Sequence, residues 1–506
     1  MSEAFDVIVV GSGAAGLAVA LGARGVRVAL VTRGVFGLDG ASCWAQGGIA
    51  AALGPGDSPA QHALDTVNAG TKLCNRTAVR WLAESAPETI AWLHSYGVQF
   101  DHYAGRLALG REAAHSFPRI VHAGGDATGA ELMRALREAT QRASHVRLFE
   151  YCEVEKLLTA SRQVVGVMAR TARGERFQLN APHTVLASGG LGQIYRYTTN
   201  PIECDGSGLA MAHSAGAELG DLEFMQFTPT ALAIRPDSRG EPEQLSEITG
   251  ALRGAGARLL NENGRRIMAG VHELLELAPD DVVARAVWDQ IEAGQRVFLD
   301  ARGLGDAVRL RFPTAYGACL TQNIDPRRDL IPVVPAAQFH LGGVRVDLHG
   351  QSTMRGLYAV GEVACTGAHG ASRLASNGLL EAVSFGRALG QRLASVPATH
   401  ALLQAENLDF QSPRPAPVND AMVLGRLKNL MWSYAGILRT PEGLRGALDQ
   451  FDLLEKRCLD GSRVLMQLRV AKLMCQAALK RSTSVGAHQL IPEAAKRSAS
   501  AWNAVA

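Results

Sequence analysis

The chain is short of several things, and each absence excludes a class. Its eight cysteines are scattered over 506 residues with no C-x-x-C pair. Neither a zinc cluster nor a disulfide framework is expected, no metal is assigned, and the thiols read as buried or idle in a reducing cytoplasm. No uninterrupted apolar run is long enough to span a bilayer, and the first strand begins by residue 6, leaving no room for a signal peptide. A cytoplasmic protein with no membrane partner is expected. The formal net charge is only +3 and no basic arm or stripe is present, which argues against nucleic acid. What remains is a globular composition, 47% hydrophobic and 20% charged, in a chain long enough for two or three domains.

The most informative stretch is Asp6-Val-Ile-Val-Val-Gly-Ser-Gly-Ala-Ala-Gly16. Val7 to Val10 reads as a buried strand, the sequence after Gly13 as a helix to about Arg24, and Val26 to Val31 as a second strand. Gly11, Gly13 and Gly16 fall between them at G-x-G-x-x-G spacing, the fingerprint of a dinucleotide fold. Gly11 permits the tight turn, Gly13 the approach of backbone to a pyrophosphate, and Gly16 close helix–strand packing. The helix N-terminus favours the phosphate charge. Thr32 and Arg33 stand where a ribose-binding acid usually follows, so plain NAD is disfavoured.

A loop rich in small residues follows, centred on Ala41-Ser-Cys-Trp-Ala-Gln-Gly-Gly48, which would let backbone lie against a flat ring; a surface loop is the alternative. Residues 60–96 read as two amphipathic helices, and Thr128 as the N-cap of a helix near Ala130 to Thr140. Short strands from Val146 to Val185 suggest a β-rich excursion. Asp205, beside glycines at a helix start, can accept hydroxyls from a ribose or ribitol. Prolines and charges from about 225 to 338 suggest an inserted domain. Gly356-Leu-Tyr-Ala-Val-Gly-Glu362 then resumes the nucleotide domain, and a helix N-terminus near Gly378 and Leu379 would stabilise negative charge on a flavin. A nucleotide domain split in this way points to FAD. After a Pro-rich linker, Ser412 to Pro417, come amphipathic helices at Arg426 to Ile437 and Leu453 to Leu479, read as a bundle for packing or oligomer contact. The expected fold class is α/β: a Rossmann-like FAD-binding domain (1–224 and 339–400) interrupted by an α+β capping domain (225–338), with a C-terminal helical domain (401–506).

Taken together, Gly11-Ser-Gly-Ala-Ala-Gly16, Ala45-Gln-Gly-Gly-Ile49, Ala123-Gly-Gly-Asp-Ala-Thr-Gly129, Ile331-Pro-Val-Val-Pro-Ala-Ala337, His369-Gly-Ala-Ser-Arg373 and Ala375-Ser-Asn377 resemble the L-aspartate oxidase branch of the succinate dehydrogenase/fumarate reductase flavoproteins. The resemblance covers nearly the whole chain. It implies FAD contacts at Ser12, Gly13, Ala14, Ala15, Arg33, Ala41, Ser42, Cys43, Trp44, Ala45, Gln46, Gly47, Gly48, Asp205, Glu362, Gly378 and Leu379. Ala41 stands in the slot of the histidine that attaches FAD in succinate dehydrogenases, so the flavin is expected to be noncovalent. The family's oxidase converts L-aspartate to iminosuccinate and reoxidises its flavin with oxygen or fumarate.

The substrate half departs from the family. Where the family writes Gln-Phe-His-Pro-Thr, Thr228 replaces the histidine. In its Thr-Glu-Ala-Leu-Arg-Gly-Glu-Gly, Thr249 stays but Gly250 and Ala255 replace the glutamates. Asp280 replaces the arginine of Ala-Pro-Arg-Asp, and Gln338 the histidine of Pro-Ala-Ala-His. Arg373 remains and can hold one carboxylate. A change from Arg to Asp reverses the local charge by two units, which would repel a second carboxylate and welcome a cation. Asp280 is the first candidate for a base or a cation ligand, with an exposed N-cap carboxylate as the alternative. His340 and His369 are second candidates, each also readable as a packing histidine. Arg285 could stand in for the missing arginine or form a surface salt bridge. The expected function is FAD-dependent dehydrogenation of a small amino acid or related carboxylate other than aspartate, with oxygen or another electron acceptor. The alternatives are L-aspartate oxidation for NAD synthesis and a catalytically inactive flavoprotein.

Overall fold

A computed structural model describes residues 2–233, 244–396, 405 and 420–493. At its centre is a five-stranded parallel sheet in the order Leu357–Ala359, His183–Leu186, Val7–Val10, Val28–Val31, Val146–Phe149. Val7 to Val10 are all buried, as a strand covered on both faces requires. Helix Ala14–Gly22 packs on this sheet and on helix Asn377–Ser395, so the two ends of the split nucleotide domain meet. Two glycines make that contact. A Cβ on Gly386 would lie 2.6 Å from the Ala15 carbonyl oxygen, and one on Gly390 would lie 2.3 Å from that of Val19.

Between strands Val146–Phe149 and His183–Leu186 lies a sheet of Cys152–Ala160, Gln163–Thr171 and Arg176–Asn180, joined by Ser2–Ala4. Residues 225–340 carry a separate four-stranded sheet in the order Met225–Leu232, Ile331–His340, Val297–Asp300, Arg258–Asn261. Helix Asp280–Glu292 packs on its first two strands. The chain thus enters this sheet on Met225–Leu232 and leaves it on the neighbouring strand, Ile331–His340.

Several boundaries differ from the sequence expectation. Thr128 is inside helix Thr128–Gln141, and its hydroxyl accepts from the Ala123 N–H at 3.2 Å, so it ties the preceding turn and does not cap the helix. The run expected as one helix from Leu453 to Leu479 is two, Pro441–Glu455 and Arg463–Lys480. The break holds Gly461 at φ 75° and Ser462, whose hydroxyl caps the second helix through the Leu465 N–H. Helix Asp420–Ala435 begins earlier than expected. The Pro-rich stretch Ser412 to Pro417 lies outside the described residues.

Candidate active site

One cavity runs from the glycine turn to the inserted sheet. At one end it is lined by Gly11, Ser12, Gly13, Ala14, Ala15 and Arg33. Gly11 takes φ 113° with its α-carbon against Ala187, a conformation and a space that suit glycine alone. A Cβ on Gly13 would meet only the Ser42 Oγ, at 3.1 Å, so that side of the turn is open to a ligand. Ala41, Ser42, Trp44, Ala45, Gln46, Gly47 and Gly48 line the middle, with Glu362, Gly378 and Leu379 opposite. Burial pushes the Glu362 carboxyl up to about 7 and its Oε1 accepts the His340 N–H at 2.9 Å.

Three expected cofactor contacts fall outside the lining. Gly16 faces Gly11 and serves packing alone. The Cys43 thiol turns away to the Gly37 carbonyl oxygen, 3.3 Å off. Asp205 is buried and engaged by Arg33 at 2.8 Å and by the Ser207 N–H at 3.0 Å, so it anchors the arginine that lines the cavity. Its neighbours Glu203, Cys204 and Ser207 do line it.

The far end gathers Thr228, Thr249, Gly250, Asp280, Gln338 and Arg373, six positions from five segments. Two histidines expected there lie behind it. His340 is buried, with Nε2 on the Leu222 carbonyl oxygen at 3.1 Å, and burial lowers its pKa to about 4. His369 pairs with buried Glu381 at 2.9 Å and meets Phe339 edge-on. Neither lines the cavity, which corrects their assignment to the substrate pocket. Arg285 also points elsewhere, to Asp281 at 2.8 Å and the Gly486 carbonyl oxygen at 3.0 Å.

The charge at this end differs from the expected two-unit reversal. Asp280 opens helix Asp280–Glu292 after Pro279 and makes no capping bond. It is not an exposed N-cap: its Oδ1 takes the Arg253 Nη2 at 2.6 Å, the Arg253 side chain being 3% exposed and that of Asp280 12%. Its Oδ2 takes the Gln226 Nε2 at 3.3 Å. Nor is it a free carboxylate, because Arg253 cancels its charge. Arg373 holds its guanidinium 4.6 Å from the Phe339 ring centre, next to Gly378, and has no carboxylate partner among the described residues.

Three lining residues escaped the sequence reading. Arg253 stood inside a quoted motif with no role given. Glu112 was given no role; it is buried, accepts the Ser376 hydroxyl on Oε2, and leaves Oε1 without a hydrogen-bond partner. Glu247 belongs to no motif, but it lies two residues before Thr249, the spacing that puts both on one side of an extended strand. Burial, then the charge of Asp280, pushes its carboxyl up to about 7. Glu112, Arg253, Gln338, Arg373 and Asn200, all lining this one cavity, each carry a buried polar atom without a hydrogen-bond partner, which suits a site for a polar ligand.

Residues 6–379 match the model of the FAD binding domain family. L-aspartate oxidases of Agrobacterium fabrum and Streptomyces coelicolor are 44% and 41% identical to this chain, over 95% and 96% of it and 90% and 88% of theirs. The chain belongs to the L-aspartate oxidase branch of the succinate dehydrogenase/fumarate reductase flavoproteins. An E. coli quinol fumarate reductase chain, FrdA, superposes with a TM-score of 0.89 at 28% identity, covering 97% of this chain and 92% of that one. A quinol-fumarate reductase with menaquinol gives 0.88 at 29%, over 97% and 93%. This flavoprotein is therefore an FAD-dependent oxidoreductase. The cavity fits the cofactor: the open side of Gly13 suits the pyrophosphate, the small residues from Ala41 to Gly48 suit the ring, and Ala41 has no atom with which to attach it. No helix among the described residues is long and apolar enough to cross a membrane.

Proposed function

We propose that this flavoprotein dehydrogenates an α-amino acid whose side chain ends in a neutral polar group, and that L-aspartate is a poorer substrate. Arg373 holds the α-carboxylate, as an uncommitted guanidinium beside the Gly378 turn. Glu112, whose Oε1 lies beside Gly47 with no hydrogen-bond partner and with His122 Nε2 at 3.8 Å, takes the ammonium. Bound FAD supplies a two-electron acceptor for the substrate C–H bond. The residues around it bind and orient: Gln226 links Asp280 to the Arg373 N–H, which it accepts at 2.8 Å, so the two ends of the substrate site keep a fixed spacing.

The observation that carries this reading is the Arg253–Asp280 pair at 2.6 Å. A dicarboxylate needs a cation or donors at both ends. Here the second cation is already spent on Asp280, and the remaining liners at that end are the Thr228 hydroxyl, the Gln338 amide and Glu247. A second substrate carboxylate would find no uncommitted cation there and would lie beside Glu247. Oxidation of L-aspartate to iminosuccinate is the second reading, favoured by the 41–44% identity to enzymes of that name. A screen decides. The FAD-loaded protein is mixed anaerobically with each common amino acid and with succinate, and flavin absorbance is followed. Bleaching by neutral-ended amino acids, with an oxo acid as the hydrolysed product, is expected. Bleaching by L-aspartate alone selects the second reading, and no bleaching by any of them selects an inactive protein.

A further inference from the structure

Dehydrogenation of an amino acid requires a proton to leave the ammonium as the C–H bond breaks, and Asp280 is tied up by Arg253. We propose that Glu247 is the carboxylate that accepts this proton; the proposal rests on the amino-acid reading above.

The segment that carries Glu247 is pinned from two sides. On the cap side, the Leu232 N–H donates to the Ser246 carbonyl oxygen at 2.8 Å, the Ile248 N–H to that of Thr230 at 2.8 Å, and the Thr230 hydroxyl to that of Ile248 at 2.7 Å. On the cofactor side, one side chain clasps it: Gln46 Nε2 donates to the Glu247 carbonyl oxygen at 2.7 Å, and Gln46 Oε1 accepts the Thr249 N–H at 3.1 Å. Gln46 belongs to the small-residue loop that lines the middle of the cavity, so the backbone of residue 247 is fixed relative to that loop. The side chain is half-buried and lines the cavity. Its Oε1 accepts from Gln338 Nε2, and among the described residues Oε2 has no partner. Carboxylate, orienting amide and open oxygen form the arrangement expected of a positioned base.

The charges facing it come from every element around it: Asp280 from the helix, already balanced by Arg253 from Gly250–Gly254, Glu112 from the loop before Ile120, and Arg373 from the loop before Asn377. Burial, Asp280 and Glu112 hold its proton and Arg373 releases it, leaving the group poised near neutrality at about 7. In the step, Glu247 takes one proton from the ammonium. The Cα–H bond then breaks with its electron pair and hydrogen passing to FAD, and the nitrogen lone pair forms the C=N bond. The products are the iminium acid, two-electron-reduced FAD and protonated Glu247, which returns its proton to water.

Glu247→Gln tests this in the FAD-loaded protein. Without substrate, infrared titration of wild type is expected to show a protonated carboxyl signal that disappears near pH 7 and is lost from E247Q. The contribution of Glu362 is common to both proteins and cancels. With L-asparagine as probe, anaerobic flavin reduction in wild type should rise with pH to a plateau. In E247Q it should be about 100-fold slower or more, with that rise removed, and Glu247→Asp should restore the rise at a lower rate. If only amino acids with a charged or apolar side chain bleach the flavin, the neutral-ended reading fails, and the same loss of rate and of the pH rise in E247Q on one of them still supports Glu247. An unchanged infrared signal in E247Q, or a rate within a few-fold of wild type on the same pH profile, overturns the proposal. Absence of bleaching by every amino acid overturns it together with the function.

Discussion

At the scale of single residues, three of the five departures of the substrate pocket, Gly250, Asp280 and Gln338, fall into two couplings. A Cβ at Gly250 would lie 3.0 Å from the Arg253 Nη2, so a glutamate there, as the family writes it, would sit on that guanidinium. In this chain residue 250 is glycine and the guanidinium is met instead from position 280 by an aspartate. The second pair is Gln338 with Glu247, joined by a hydrogen bond where the family writes a histidine at 338. Pairing has an energetic consequence. Asp280→Asn leaves Arg253 buried without its counter-charge and should cost about 3 kcal/mol of stability, read by urea denaturation. A loss below about 1 kcal/mol would place the pair effectively in solvent. Arg373→Lys keeps the charge and loses the planar fork, so KM for the amino acid should rise about 10-fold or more, with FAD content unchanged. An unchanged KM would remove Arg373 from the carboxylate site.

At the scale of elements, the nucleotide half was legible because its chemistry is local. Glycine turn, helix and strand follow one another within Asp6 to Val31, and each residue there acts on near neighbours. The substrate half was legible only in its list of substitutions. What the substitutions do depends on contacts across long sequence separations, such as Arg253 with Asp280 and Gln46 with Thr249, which no periodicity announces. His340 and His369 were misplaced for the same reason: His340 follows the lining residue Phe339 and His369 opens the motif that ends at Arg373, but their rings turn inward to the Leu222 carbonyl oxygen and to Glu381. The clasp by Gln46 makes its own prediction. Gln46→Ala removes both anchors of residues 247 and 249, so flavin reduction should slow by about 10-fold or more while FAD remains bound. Reduction at the wild-type rate would show that the inserted domain holds this segment unaided.

At the scale of the whole molecule, the C-terminal helices are joined to the rest through a buried cation. Arg439 is 1% exposed, donates to the Glu223 carbonyl oxygen at 2.6 Å and meets the His488 Nδ1 at 3.0 Å. That histidine and three others are held neutral by burial, with pKa values lowered to about 4 for His62, His340 and His488 and about 3 for His115. Their stability is fully present above the unfolded value of about 6.5 and is lost as pH falls through the folded values. Glu247 and Glu362, raised to about 7, act with the opposite sign and soften the slope. The thermal midpoint of the holoprotein should therefore drop as pH is lowered from about 6.5 to about 4, and a flat calorimetric profile would contradict the neutral burial of these rings. Every scale bears on one claim, that the end of the cavity beyond Arg373 no longer serves a second carboxylate. L-asparagine and L-aspartate differ there by an amide for a carboxylate and little else, so the most direct measurement is their kcat/KM for flavin reduction at one pH. Preference for L-asparagine by about 10-fold or more is predicted, and preference for L-aspartate would contradict the claim.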